Sequence, residues 1–221
     1  LGCRVFSWLD SLNEKYQFST SYYQLSLAHS GNFVIKYSMG MALLFSPFFW
    51  IAHLLAMLLG YPTDGLSEPY QYAILASGLL SAFVGLYYLL LVLKKFFSSK
   101  ISIWTLLLIF FGTNYFQLTI LEGTVLTHNY LFTCYAMLLY QTIRYYANPK
   151  SLRAASIGIL LGIISLIRPS EIICVLIPLL WKPAQLFQWN FIKQHWNHLL
   201  LTGILFVAFS VPQILYWKVI A

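Results

Sequence analysis

Five ionisable residues on a very apolar chain have the types and positions to do chemistry together: Lys36, Glu122, His128, Arg168 and Glu171. The sharpest is Arg168, in Arg168-Pro169-Ser170-Glu171, a polar tetrapeptide set between the two apolar runs of residues 154–181. A charge there is costly unless it reaches water, a partner or a ligand. A guanidinium at a membrane interface can grip a phosphate bidentately; equally, it can pair with Glu171 or snorkel to lipid phosphate. Glu122 and His128 flank the Gly123 turn in L-E-G-T-V-L-T-H-N-Y and can face each other. A carboxylate and an imidazole so placed can ligate a divalent metal or exchange a proton, or simply meet headgroups and water. Two ligands without a third assign no metal. His53, His195 and His198 read as interfacial or packing residues.

Something must hold those residues at one level, and composition says what. The 221 residues are 60% hydrophobic and only 9% charged, with a mean hydropathy of +0.73. A soluble domain carries roughly 25% charged residues, so the chain reads as an integral membrane protein of all-α class. The net charge of +7 could suggest nucleic acid, but the bases cluster at the ends of apolar runs, as membrane topology demands. Cys3, Cys134 and Cys174 are odd in number and far apart, and the last two read as small hydrophobes in apolar runs.

In chain order, residues 1–37 form a polar loop or cap, and residues 38–221 a helical transmembrane domain. Residues 38–59 are long enough to cross a bilayer or to lie in its interface. Further spans are expected at 72–93, 101–121, 125–146 and 199–217, with two short halves on either side of Arg168. That gives about six spanning helices plus one interfacial helix. Pro169 disfavours helix just before it, so the two halves should meet at a turn. The spacing Gly158-x-x-x-Gly162 suits close helix packing. The loops 94–100, 144–153 and 182–198 hold Lys94, Lys95, Lys100, Arg144, Lys150, Arg153, Lys182 and Lys193 and no acid. The positive-inside rule makes that face cytoplasmic and puts Arg168 on the other side.

Four segments carry a resemblance: K-Y-S-M-G-M-A-L-L-F-S-P-F-F-W-I-A-H (36–53), G-T-N-Y-F (112–116), T-H-N-Y-L-F (127–132) and G-I-L-L-G-I-I-S-L-I-R-P-S (158–170). Together they resemble GT-C superfamily glycosyltransferases, the bacterial branch near protein mannosyltransferases and lipid A aminoarabinose transferases. The resemblance implies transfer of a sugar from a polyprenyl-phosphate donor to an extracytoplasmic acceptor at the bacterial inner membrane. It implies that residues 38–59 lie flat in the outer interface. Lys36 resembles the lysine near the donor phosphate, though Ile35 stands where a Glu is usual and two prolines are missing. Lys36 and Arg168 would then hold the donor phosphate, while Glu122, His128 and Glu171 line the acceptor or metal side, with a divalent metal as the cofactor to test. The family's acidic general base has no counterpart in Asp10 or Glu14 and is expected upstream of Leu1. Expected partners are the lipid-linked sugar and membrane lipids, without nucleic acid. A transporter or lipid flippase with a broken-helix site is the alternative; it would bury the Arg168 turn near the bilayer centre.

Overall fold

The computed structural model describes residues 25–27, 33–35, 38–121, 126–182 and 189–220. Apart from one short antiparallel pair, β1 (Leu25–Leu27) and β2 (Phe33–Ile35) with Ser26 opposite Val34, every described element is helical. Met39–Ser210 forms a compact unit of its own, and it holds the candidate site.

The α-helices are α1 (Gly40–Leu59), α2 (Glu68–Leu93), α3 (Ser99–Gly112), α4 (Thr127–Ala147), α5 (Ser151–Ile167), α6 (Leu176–Leu180) and α7 (Trp189–Ile220), the last kinked at His195. Three are long and apolar enough to cross a membrane by length and composition: α1, α2 and residues 189–218 of α7. This corrects the expectation of about six. The run 101–121 breaks at Thr113, whose hydroxyl bonds back to Ile109 O at 2.6 Å while its backbone turns extended. The break divides it into the 14-residue α3, about 21 Å long at 1.5 Å per residue, and a short π-helical stretch, Gln117–Leu121. Helix α4 has 21 residues but carries Asn129, Thr133, Gln141, Thr142 and Arg144, which lower its hydropathy. Helix α5 stops after 17 residues at Ile167.

The stop is the expected one. Arg168 is extended (φ −142°, ψ 117°), and Pro169 opens a tight 3-10 helix, Pro169–Val175, that leads into α6. The segment then returns along α4: Glu171 meets Tyr135, and Pro178 O accepts from Tyr146 Oη at 2.8 Å. Two antiparallel pieces joined at a corner are therefore present, although the second is mostly 3-10 rather than α.

Helix α4 is central. One face (Leu131, Cys134, Leu138) packs into a core with Ile157, Leu160, Leu161 and Ile164 of α5 and with Cys174, so both described cysteines behave as the small buried hydrophobes expected. Its other face runs parallel to α2 through polar pairs: Asn129 Nδ2 donates to Gly78 O at 2.7 Å, Tyr130 Oη bonds Ser77 Oγ at 2.7 Å, and Thr133 Oγ1 donates to Ser81 O at 2.7 Å. Where lipid is as apolar as leucine, such small and polar contacts are what hold helices together. The Gly158/Gly162 pair acts in the same way. Methyl groups built on these two glycines would meet Thr202 O at 2.5 Å and Phe209 Cβ at 2.6 Å, so α7 rests directly on the α5 backbone.

One end of this unit is basic. Phe96 and Trp181 rings lie 6.2 Å apart, tying the α2–α3 loop to the end of α6. Arg153 Nη1 caps the last carbonyls of α4, donating to Arg144 O and Asn148 O. His198 reaches Ser151 Oγ at 3.1 Å. Helix α1 contacts the opposite end: Gly40 touches the backbone of Leu166 and Ile167, Phe45 stacks edge-on to Tyr130, and His53 Nδ1 bonds Tyr70 Oη at 2.5 Å.

Candidate functional site: the Arg168 corner

Three residues converge where α5 ends and α4 begins. Arg168 Nη2 donates to Thr127 Oγ1 at 2.9 Å and lies 3.2 Å from His128 Nε2. A guanidinium has donors only, so His128 must accept through Nε2 and is the neutral, Nδ1-protonated tautomer whenever this contact exists. The local sequence sets up the arrangement. Pro169 ends α5 one residue after Ile167, which leaves Arg168 extended at the helix terminus, level with the first turn of α4. Among the described residues, Arg168 Nη1 and Nε make no hydrogen bond, and the side chain is half-buried rather than sealed. Two N–H edges of a fixed cation thus remain for a ligand.

Glu171 goes elsewhere. Its Oε2 accepts from Tyr135 Oη at 2.6 Å, two turns down α4 from Thr127. The two charges of Arg168-Pro169-Ser170-Glu171 therefore do not pair. The extended backbone at Arg168 sends its side chain to the mouth of the bundle, whereas the 3-10 turn carries Glu171 down along α4. A short charge-assisted bond from a phenol holds that carboxylate, so it serves to tie the returning segment to α4.

Of the five residues expected to converge, Arg168 and His128 are brought together and Glu171 stands apart from them. Lys36 and Glu122 lie outside the described residues, as do Asp10 and Glu14. Among the described residues no three His, Cys, Asp or Glu side chains gather. His128 Nε2 is engaged by a guanidinium, and a fixed positive charge at 3.2 Å opposes a cation at either ring nitrogen. The described residues do not fit a divalent metal at His128, and no step is derived through one.

Sequence reasoning missed Thr127, Tyr135 and the Tyr115–Asn129 contact, in which Tyr115 Oη donates to Asn129 Oδ1 at 3.2 Å. The signal was present for two of them: Thr127, Leu131, Cys134, Tyr135 and Leu138 follow helical spacing on one face of α4. An apolar groove of about 260 Å³ runs between α2 and α3, walled by Leu79, Phe83, Leu86, Leu107, Phe110 and Phe111. No protein-family model, curated protein or solved structure matches this chain.

Proposed function

We propose that this chain belongs to a GT-C-type membrane glycosyltransferase, which moves a sugar from a polyprenyl-phosphate donor to an acceptor on the extracytoplasmic side of a bacterial inner membrane. The observation that carries the reading is the Arg168 corner. A cation is fixed at a helix end by Thr127 and His128 and keeps two donor edges free, and a lipid-linked phosphate at the headgroup level needs such a partner. The charge asymmetry between the two ends supports turning this corner away from the cytoplasm. The contacts of α1, all at the Arg168 end, support its lying along the interface there despite being long enough to cross.

In this reading the apolar groove between α2 and α3 takes part of the isoprenoid. Arg168 binds the phosphate and stabilises the negative charge that builds on it as the glycosidic bond to the sugar breaks. Thr127 and His128 position the guanidinium, and the acceptor's proton leaves to a base beyond the described residues. Lys36 joins the phosphate clamp, while Glu122 and His128 border the acceptor side. A transporter would need the corner midway along its helices, whereas Arg168 stands level with the first residues of α4.

The test is sugar transfer from synthetic polyprenyl-phosphate donors by the full-length protein in liposomes, comparing wild type with Arg168→Ala and Arg168→Lys. Loss of at least about 100-fold in Arg168→Ala, with partial retention in Arg168→Lys, is expected for a charge-stabilising donor. Wild-type turnover by an equally folded Arg168→Ala would remove the assignment.

A further inference from the structure

The end of the unit opposite Arg168 has a chemistry of its own. Eight bases (Lys94, Lys95, Lys100, Arg144, Lys150, Arg153, Lys182 and Lys193) come from three loops that contain no acid, and the fold brings those loops to one end. The Phe96–Trp181 contact joins the first to the third, Arg153 Nη1 bonds Arg144 O and Asn148 O within the second, and His198 links the start of α7 to Ser151 and Tyr145. All of the lysines and Arg144 are exposed. Nothing of opposite charge among the described residues approaches them, so the patch is uncompensated by the protein itself.

Beneath this rim lies a small apolar groove of about 90 Å³ between α4, α5, α6 and α7, walled by Tyr145, Ile157, Leu161, Leu179 and Leu199. Its walls come from residues within a few turns of the basic end. Cations at headgroup level above an apolar slot between helices match an anionic phospholipid in both its parts: phosphate against the bases, acyl chain along the slot. Two aromatic residues of the type that anchors at membrane interfaces, Trp181 and Trp189, lie next to Lys182 and four residues before Lys193.

We propose that this end is a binding site for an anionic phospholipid of the adjoining leaflet, with the headgroup held by Lys150, Lys182 and Lys193 around the start of α5, the end of α6 and the start of α7. Arg153 is committed to capping α4 and serves the site by fixing its floor. The site is independent of the donor-phosphate reading, because it lies at the other end of the bundle and uses none of the same residues.

The experiment compares binding of phosphatidylglycerol and phosphatidylcholine to the full-length protein by native mass spectrometry from detergent and by thermal shift on lipid titration. Wild type is expected to retain phosphatidylglycerol preferentially, and the preference should fall about tenfold in Lys150→Gln/Lys182→Gln/Lys193→Gln. On wild type alone, raising salt to about 1 M, where the Debye length is ~3 Å, should remove most of the preference. Equal retention of the two lipids by wild type, or a preference unmoved by salt, overturns the proposal. So does an undiminished preference in the folded triple variant. Should the triple variant fail to fold, the wild-type lipid comparison and the salt arm decide alone. A preference lost equally in Lys94→Gln/Lys95→Gln would show diffuse attraction without a site, which also overturns it.

Discussion

Arg168 Nη2 stands 3.2 Å from His128 Nε2, and the imidazole can hold that place only as an acceptor. His128→Gln, which keeps an acceptor, should hold the guanidinium and bind donor lipid as wild type does. His128→Leu removes the acceptor and leaves Thr127 Oγ1 alone to position Arg168, so donor-lipid binding should weaken. Donor-lipid binding measured for the three proteins at one pH checks this, and unchanged binding in a folded His128→Leu would rule it out.

Tyr135 and Glu171 offer a separate test. Removing one partner of a half-buried, charge-assisted bond costs about 1–3 kcal/mol. Tyr135→Phe and Glu171→Leu should each destabilise by that order. The double variant should cost clearly less than the sum, because each single change leaves the other group without its partner. Glu171→Gln, which still accepts from the phenol, should be the mildest. Unfolding in mild detergent provides the values, and strict additivity would mean that the bond contributes nothing.

Gly158 and Gly203 lie on different helices and should respond in opposite directions. A side chain at Gly158 drives into Thr202 O, so Gly158→Leu should separate α5 from α7 at a cost of about 1–3 kcal/mol or more. Nothing lies within 4 Å of a methyl group built on Gly203, so Gly203→Ala should stabilise α7 by roughly 0.5–1 kcal/mol. Thermal unfolding of the two variants side by side reads both signs.

Asn129 is the polar hinge pin between α2 and α4. Asn129→Leu keeps the volume but leaves Gly78 O and Tyr115 Oη without their partner, an expected loss of about 1–3 kcal/mol. Asn129→Ala in a Tyr115→Phe background should cost less than Asn129→Ala alone. Equal costs in the two backgrounds would exclude a working Tyr115–Asn129 bond.

Much of this architecture was legible because it rests on strong local signals. Pro169 forces the end of α5, the eight bases mark one end, and Gly158/Gly162 mark a tight seam. The break at Thr113 was not legible, because an apolar run says nothing about a hydroxyl turning back on its own helix. The partner of Glu171 was missed for a different reason: spacing of three residues suggests Arg168, but the extended backbone at Arg168 separates their directions. The number of crossings was overcounted because α3, α4 and α5 fall short in length or in hydropathy, one at a time and for different reasons. At the candidate site, type and spacing picked out Arg168 and His128, while Thr127 needed the helix-end geometry to be seen.

The parallel course of α5 and α7 has a consequence for the chain between them. Two neighbours pointing the same way require a return leg, and here it is Pro169–Val175 followed by Leu176–Leu180. At about 2.0 Å per residue for 3-10 and 1.5 Å for α, those twelve residues cover ~21 Å, against ~18 Å as pure α-helix. The tighter spiral therefore carries the returning segment about 3 Å further along α4 than the same twelve residues would reach as α-helix.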